Sequence, residues 1–175
     1  WRSAVESEMS WNTYESPLGT LTLVAEDGAL TRICFPEEPP RGEVGTRRDL
    51  PAVAAQLDEY FGGDRQAFDL PLELRGTPLQ LAVWARLRAI PYGETISYGE
   101  LATAIDPALF PAATEPHQRA RAVGTEVGRT PTPIVVPCHR VIGADGSLTG
   151  YGGGLNRKRA LLDLEQGVAQ LLPLA

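Results

Sequence analysis

The sequence predicts an α+β chain in two parts, a small α/β unit followed by a mostly helical unit that carries a reactive cysteine. Three observations predict it. Alternating apolar residues run through the first part, with Leu21 and Leu23 set between threonines and Phe68, Leu70, Leu72 and Leu74 alternating again further on. Helix-start signals dominate after Arg75-Gly76, at Thr77-Pro78-Leu79-Gln80, at Ser97-Tyr98-Gly99-Glu100 and at Glu115-Pro116. Within this second part lies one stiff run, residues 131–140, in which Pro131, Pro133 and Pro137 fix φ and push each preceding residue towards extended geometry. The expected limits are residues 1–8 as a tag or upstream segment ahead of Met9, 9–76 for the first domain and 77–175 for the second.

Taken in order, residues 11–35 read as a β-hairpin, with Glu26-Asp27-Gly28 as its turn and Leu30 to Phe35 as its return strand. Cys34 lies in that strand as plain core. Residues 36–49, rich in Pro, Gly and charge, form a surface loop. Leu50, Val53, Ala54, Leu57, Tyr60 and Phe61 follow helical spacing up to the stop at Gly62-Gly63. Residues 68–74 form a further strand, and no catalytic constellation falls in this part.

The second part opens with the capping box at Thr77 and a helix that turns Leu79, Val83, Trp84 and Leu87 inward and ends before Pro91. A second capping box at Ser97 opens a short helix through Leu101, Ala102 and Ile105, stopped by Asp106-Pro107. After a Pro/Ala-rich loop at 106–117, a third helix runs from Glu115-Pro116 to about Val127. Two short helices, the second bearing arginines, read as helix-turn-helix-like. Gly124 inside the third helix costs roughly 1 kcal/mol against alanine, which predicts close approach of another backbone. Ile134, Val135 and Val136 read as a short buried strand leading to Cys138. Gly143-Ala144-Asp145-Gly146 is a turn. Asn156 caps a last helix from about Arg157 to Gln166, and Gly167 stops it.

Composition bounds the function. The chain has 175 residues, 43% of them apolar, enough to bury a core in one sizeable or two small domains. It contains no apolar run of 18 residues and no secretory signal, so no membrane association is expected. Two cysteines, Cys34 and Cys138, are no disulfide framework and point to a reducing, cytoplasmic compartment. With His117 and His139 as the two histidines, no Cys/His zinc spacing exists, so no metal is expected. The net charge of −6 is uneven: residues 1–75 hold 7 basic and 14 acidic side chains, whereas residues 115–160 hold 7 basic and 3 acidic. A basic face on an acidic chain suits phosphate contacts, and Arg119, Arg129 and Lys158 are candidates on charge.

The chemistry centres on Cys138. His139 can act as base or imidazolium, and Arg140 adds a cation near the thiol; both favour the thiolate, the nucleophilic form. Glu165 lies on or beside the inward face of the last helix and needs a partner, either an arginine or His139. Neighbours in an extended chain point to opposite sides, so Cys138 and His139 communicate through a turn or a bridging water.

Pro137-Cys138-His139-Arg140-Val141, Gly150-Tyr151-Gly152-Gly153-Gly154, Lys158 and Leu161-Leu162-Asp163-Leu164-Glu165 closely resemble the O6-alkylguanine-DNA alkyltransferase family. So do Ile90-Pro91-Tyr92-Gly93-Glu94-Thr95, Ser97-Tyr98 and Arg121-Ala122-Val123-Gly124. The likeness is dense from about Thr77 to Glu165 and weak before it. It implies a ribonuclease-H-like sheet-and-helix scaffold first, then a mostly helical, winged-helix or helix-turn-helix-like domain bearing the active-site cysteine. It implies DNA repair in which Cys138 takes an alkyl group from O6-alkylguanine rotated out of duplex DNA, once per molecule, with no cofactor and no metal. O4-alkylthymine stays open as a second substrate, and cooperativity of the monomer on DNA stays open too; a bacterial-type, nucleoid-associated protein is expected.

The same resemblance assigns roles. Cys138 is the acceptor, with His139 and Glu165 behind it, and Tyr98 is the proton donor to the base. Arg121 is the wedge that fills the vacated stack. Ala120, Ala122 and Gly124 allow close approach in the minor groove, and Thr95 and Ser97 join the DNA face. Tyr151, Gly152, Val136, Pro133 and Thr130 line the base pocket. One departure stands out: Thr130-Pro131 replaces the family's Asn-Pro. A threonine hydroxyl holds fewer partners than an amide, so weaker positioning of Cys138 is expected. The alternatives are a thiol hydrolase with a Cys138-His139-Glu165 triad, a lesion sensor that binds without transfer, and a winged-helix module with a structural cysteine.

Overall fold

The computed structural model describes residues 7–168 and divides into two compact units, one up to Leu74 and one from Arg75 onward. In the first unit the elements are β1 (Met9–Ser16), β2 (Gly19–Glu26), β3 (Ala29–Cys34), β4 (Thr46–Arg47) and α1 (Pro51–Phe61). They form a four-stranded sheet in the order β3-β2-β1-β4, antiparallel except for β1 beside β4. The expected single hairpin is therefore a three-strand meander. Its second turn sits at Asp27-Gly28, both at positive φ, as the Asp-Gly signal requires. Glu8, assigned from sequence to the leading segment, already belongs to the unit: its amide donates to Asp27 Oδ1 and its carboxylate pairs with Arg48. The loop at 36–49 is not wholly irregular, because it contributes β4.

Leu21, Leu23, Leu30 and Ile33 bury the sheet's inner face, and Leu57 and Tyr60 bury that of α1. Tyr14 fixes α1 to β1 through a 2.5 Å hydrogen bond to Asp58 and a stack on Phe61. The strand expected at 68–74 is reduced to one parallel bridge, Leu30 to Leu72, with two backbone hydrogen bonds about Leu30. Pro71, which has no N–H to donate, interrupts its pairing, so the apolar alternation buries Leu70 without building a ladder.

The second unit contains α2 (Pro78–Arg88), β5 (Ile96–Ser97), α3 (Tyr98–Thr103), α4 (Pro116–Gly128), β6 (Val141–Ile142) and α5 (Leu155–Gln166), with β5 and β6 pairing in parallel. Thr77 caps α2 in the full reciprocal box. At α3 only half of the expected box forms: Ser97 Oγ accepts from the Glu100 amide. The loop at 106–117 tightens into a 3₁₀ turn at Pro107–Leu109, capped by Asp106, and buries Phe110. α2 holds α4 through Trp84 Nε1 to the Glu126 carbonyl at 3.1 Å and Gln80 Nε2 to Glu126 Oε2 at 2.8 Å.

Two expectations about the last segments fail for physical reasons. The cap of α5 is Gly154, at φ 91, and Asn156 lies inside the first turn. The apolar run Ile134–Val136 is a turn rather than a strand, bridged from Pro133 to Val136, with Ile134 at φ 75. A β-branched residue in the left-handed region is strained and persists where its surroundings over-determine it. Here burial of Ile134 and Val136 holds it. Gly167 ends α5 in the left-handed conformation as expected. Residues 1–6 and the tail at 169–175 lie outside the described residues, and among those described no helix is long and apolar enough to cross a membrane.

Candidate active site

The strained turn feeds directly into a 3₁₀ turn at Cys138–Arg140. This conformation, not an extended chain, sets the directions of the three side chains. All three are buried. His139 and Arg140 both reach Glu165 on α5: His139 Nε2 lies 2.7 Å from Oε2, while Arg140 donates from Nε to Oε1 at 2.7 Å and from Nη2 to Oε2 at 3.1 Å. The sequence offered Glu165 either an arginine or His139, and it holds both. Arg140 also donates to the Ile90 carbonyl at 2.6 Å and lies 5.7 Å from the Tyr92 ring centre. The cation expected beside the thiol is thus committed to Glu165 and Ile90.

The cation that does act on the thiol is Lys158. Its expected phosphate contact is overturned by burial: the residue is 0% exposed, and its ammonium donates to the carbonyls of Val141 at 2.5 Å and Thr149 at 2.9 Å. A buried ammonium needs such partners. Sequence charge alone could not separate it from the exposed arginines of the same segment.

Burial pushes the Cys138 thiol up to about 11, against the hydrogen bond from Thr130, its own backbone, the Lys158 charge and the Tyr151 hydroxyl. Burial likewise holds His139 below its usual range despite Glu165, so the imidazole is neutral near pH 7. With Nε2–H donated to Glu165, Nδ1 carries the lone pair, and that nitrogen has no hydrogen-bond partner among the described residues. Burial would raise the Glu165 carboxyl, but the hydrogen bonds and charges of His139 and Arg140 bring it down to about 2.

Tyr98 opens α3, and its hydroxyl donates to the Thr149 carbonyl at 3.0 Å. Burial raises its phenol above the ordinary value, so it stays a proton donor. Its ring lies under Gly124 of α4, where a Cβ would meet Cδ1 at 3.4 Å. The close neighbour of Gly124 is therefore an aromatic ring and not the expected backbone. The Tyr151 hydroxyl faces the Cys138 thiol, and burial, with the neighbouring sulfur adding to it, raises its phenol well above normal. Gly152 faces the Gly128 carbonyl at the end of α4, 3.6 Å from where its Cβ would stand. Thr130, Tyr151 and Lys158 thus face the thiol, while Val136 accepts the Cys138 backbone N–H at 2.8 Å and Pro133 is bridged to Val136.

The outer face of α4 carries the remaining candidates. Arg121 is exposed, and among the described residues no hydrogen bond or ion pair holds its side chain. Ala120, Ala122 and Gly124 are partly buried beside it. Arg119 is turned away onto the Phe110 ring, 5.5 Å from its centre, and Arg129 pairs loosely with Glu126 at 3.4 Å. Thr95 is half-buried, and Ser97 spends its acceptor on capping α3. No group of three metal-ligating side chains occurs among the described residues. The arrangement supplies a buried sulfur nucleophile, a neutral base oriented by a carboxylate, and a phenolic acid.

Two family models match the chain: "6-O-methylguanine DNA methyltransferase, ribonuclease-like domain" over residues 9–74, and "6-O-methylguanine DNA methyltransferase, DNA binding domain" over residues 78–167. A methylated-DNA–protein-cysteine methyltransferase of Mycolicibacterium paratuberculosis is 48% identical over 90% of this chain and 93% of the relative. One of the same description from Methanosarcina acetivorans is 41% identical over 90% and 98%. Among solved structures, the Mycobacterium tuberculosis OGT in complex with DNA matches at a TM-score of 0.80 and 48% identity, covering 91% of this chain and 94% of that one.

Proposed function

Because the chain belongs to the 6-O-methylguanine DNA methyltransferase family, we propose that it repairs duplex DNA by moving an alkyl group from O6 of guanine to Cys138. The observation that carries this reading is the sulfur held on a buried 3₁₀ turn beside a histidine whose far nitrogen is fixed by Glu165 at 2.7 Å. The Cys138 proton passes by way of a bridging water to His139 Nδ1, which no side chain among the described residues occupies, and Glu165 balances the imidazolium that results. The thiolate attacks the alkyl carbon: a carbon–sulfur bond forms, the carbon–O6 bond breaks, and its electron pair stays on guanine. The base takes up a proton from Tyr98, and the tyrosinate left behind regains one through solvent as the His139 imidazolium gives up the proton it took from the thiol, so that one proton in all passes from sulfur to guanine.

The target carbon is unreachable inside the helix, so the nucleotide is rotated out, and Arg121 fills the gap it leaves. Its exposure, with no hydrogen bond or ion pair holding its side chain among the described residues, supports that role. Ala120, Ala122 and Gly124 keep the face of α4 low, and Thr95 and Ser97 border it. The extruded base occupies the space about Pro133, Val136, Tyr151 and Gly152. The product is a thioether, whose carbon is no electrophile towards activated water. The chain therefore acts once per molecule, as a monomer on DNA.

Intact-mass measurement after mixing with O6-benzylguanine tests this. One benzyl adduct on Cys138, absent from Cys138→Ser, is expected. Many substrates consumed per molecule would point instead to a hydrolase, and lesion binding without an adduct to a sensor.

A further inference from the structure

We propose that the Thr130 hydroxyl is a two-position switch, its single proton closing the C-terminal end of α4 while Cys138 is a thiol and turning onto Sγ when Cys138 ionises. The inference rests on Cys138 being the alkyl acceptor. Thr130 follows the C-cap of α4, Arg129, and its Oγ1 donates to the Val127 carbonyl at 2.7 Å. The same hydroxyl faces the Cys138 thiol, where a hydrogen bond to the thiolate form works against the effect of burial. A hydroxyl has one proton and two lone pairs, so a proton given to Val127 leaves only an acceptor for the sulfur. That matches S–H. A thiolate, however, only accepts, and the proton must turn to serve it.

The turn is cheap on the helix side. The Val127 carbonyl keeps the backbone N–H groups of Arg129 and Thr130, the latter at 3.3 Å, so it is not left orphaned. The gain is large on the sulfur side, since Cys138 is 4% exposed and a hydrogen bond to a charged acceptor is the stronger kind. Three of the other groups facing the sulfur cannot substitute for it. Lys158 of α5 is tied to Val141 and Thr149, Tyr98 of α3 to Thr149, and His139 takes the proton away. Tyr151 is the second hydroxyl donor and approaches from the glycine loop. Thr130 alone of these joins the sulfur to α4. An asparagine in its place brings an amide with two N–H groups and a carbonyl, and would serve both partners without choosing.

The test follows the rate of Cys138 modification against pH in the full chain, by peptide mass, with iodoacetamide and with O6-benzylguanine. Thr130→Val is expected to raise the pH midpoint and slow the reaction about tenfold at pH 7.5, as loss of one charge-assisted hydrogen bond implies. Thr130→Ser should recover to within about threefold of the parent, and Thr130→Asn should shift the midpoint below it. An unchanged midpoint in Thr130→Val, whether or not the rate falls, overturns the switch. Should that variant fail to fold, an unchanged midpoint in Thr130→Asn overturns it instead. A parent chain that iodoacetamide modifies with the expected shifts, but O6-benzylguanine does not, sinks the proposed function and leaves the switch standing.

Discussion

Glu165 shows how one residue sets the electrostatics of its neighbours. Its carboxyl is fully enclosed, and enclosure by itself would neutralise it; His139 and Arg140 instead hold it ionised, with a pKa of about 2 against 4.5. The folded value lies below the unfolded one. Its contribution to stability is therefore complete above about pH 4.5 and disappears as pH falls towards 2. Urea melts between pH 7 and pH 3 should show that loss. Glu165→Gln should lower stability at pH 7 by about 3 kcal/mol, because it leaves Arg140 buried without its counter-charge. The same variant should flatten the acid limb of the stability profile. It should also slow benzyl transfer, since the imidazolium formed on His139 is no longer balanced.

At the scale of elements, the packing of α3 against α4 is set by Gly124 over the Tyr98 ring. Alanine there would meet the ring at an ordinary contact distance and would relieve the helix of a glycine. Gly124→Ala should therefore raise the melting temperature, with a gain of up to about 1 kcal/mol. Gly124→Leu should displace the ring and slow transfer while leaving iodoacetamide reactivity nearly unchanged, which a stopped assay on each reagent would separate. Lys158 joins α5 to Val141 and Thr149 in the same manner. Lys158→Met should cost about 2 kcal/mol or more in a thermal melt, because it strands two buried carbonyls.

These elements also mark what the sequence could and could not reveal. Thr77 with Gln80, and Gly167 after α5, were legible because a cap is a local bargain between residues a few positions apart. The order Cys138, His139, Glu165 was legible because motif and helical phase agree. Ile134 was not: a β-branched apolar residue gives every sign of a strand, and its positive φ comes from the prolines and burial around it. Lys158 stands where Arg140 was expected for a similar reason. Which cation reaches the thiol depends on how α5 lies against the 3₁₀ turn, and nothing within either segment records that. The strand expected at 68–74 failed because alternation reports burial, while a ladder also needs an unbroken row of N–H donors, which Pro71 interrupts.

For the molecule as a whole, net charge and DNA binding pull in opposite directions. The chain carries −6, with the acidic excess in residues 1–75 and a basic excess in residues 115–160. Two of the candidate phosphate-binding groups are spent internally, Lys158 on carbonyls and Arg119 on Phe110. Few cations remain to displace counterions. Affinity for unmodified duplex, read by fluorescence anisotropy from 50 to 200 mM salt, should fall with a log–log slope of about −3. A slope near −8 would mean that a much larger basic surface engages DNA.

The enclosure of Cys138 bears on a different matter, the time a molecule waits before its one use. Peroxide and disulfide reagents consume thiolates, and a sulfur held protonated beneath the Tyr151 hydroxyl offers them almost none. Cys34, also buried with its thiol shifted up, is guarded alike. Ellman's reagent should find neither sulfur within minutes in the native chain and both after denaturation. A repair reagent built this way has a long shelf life.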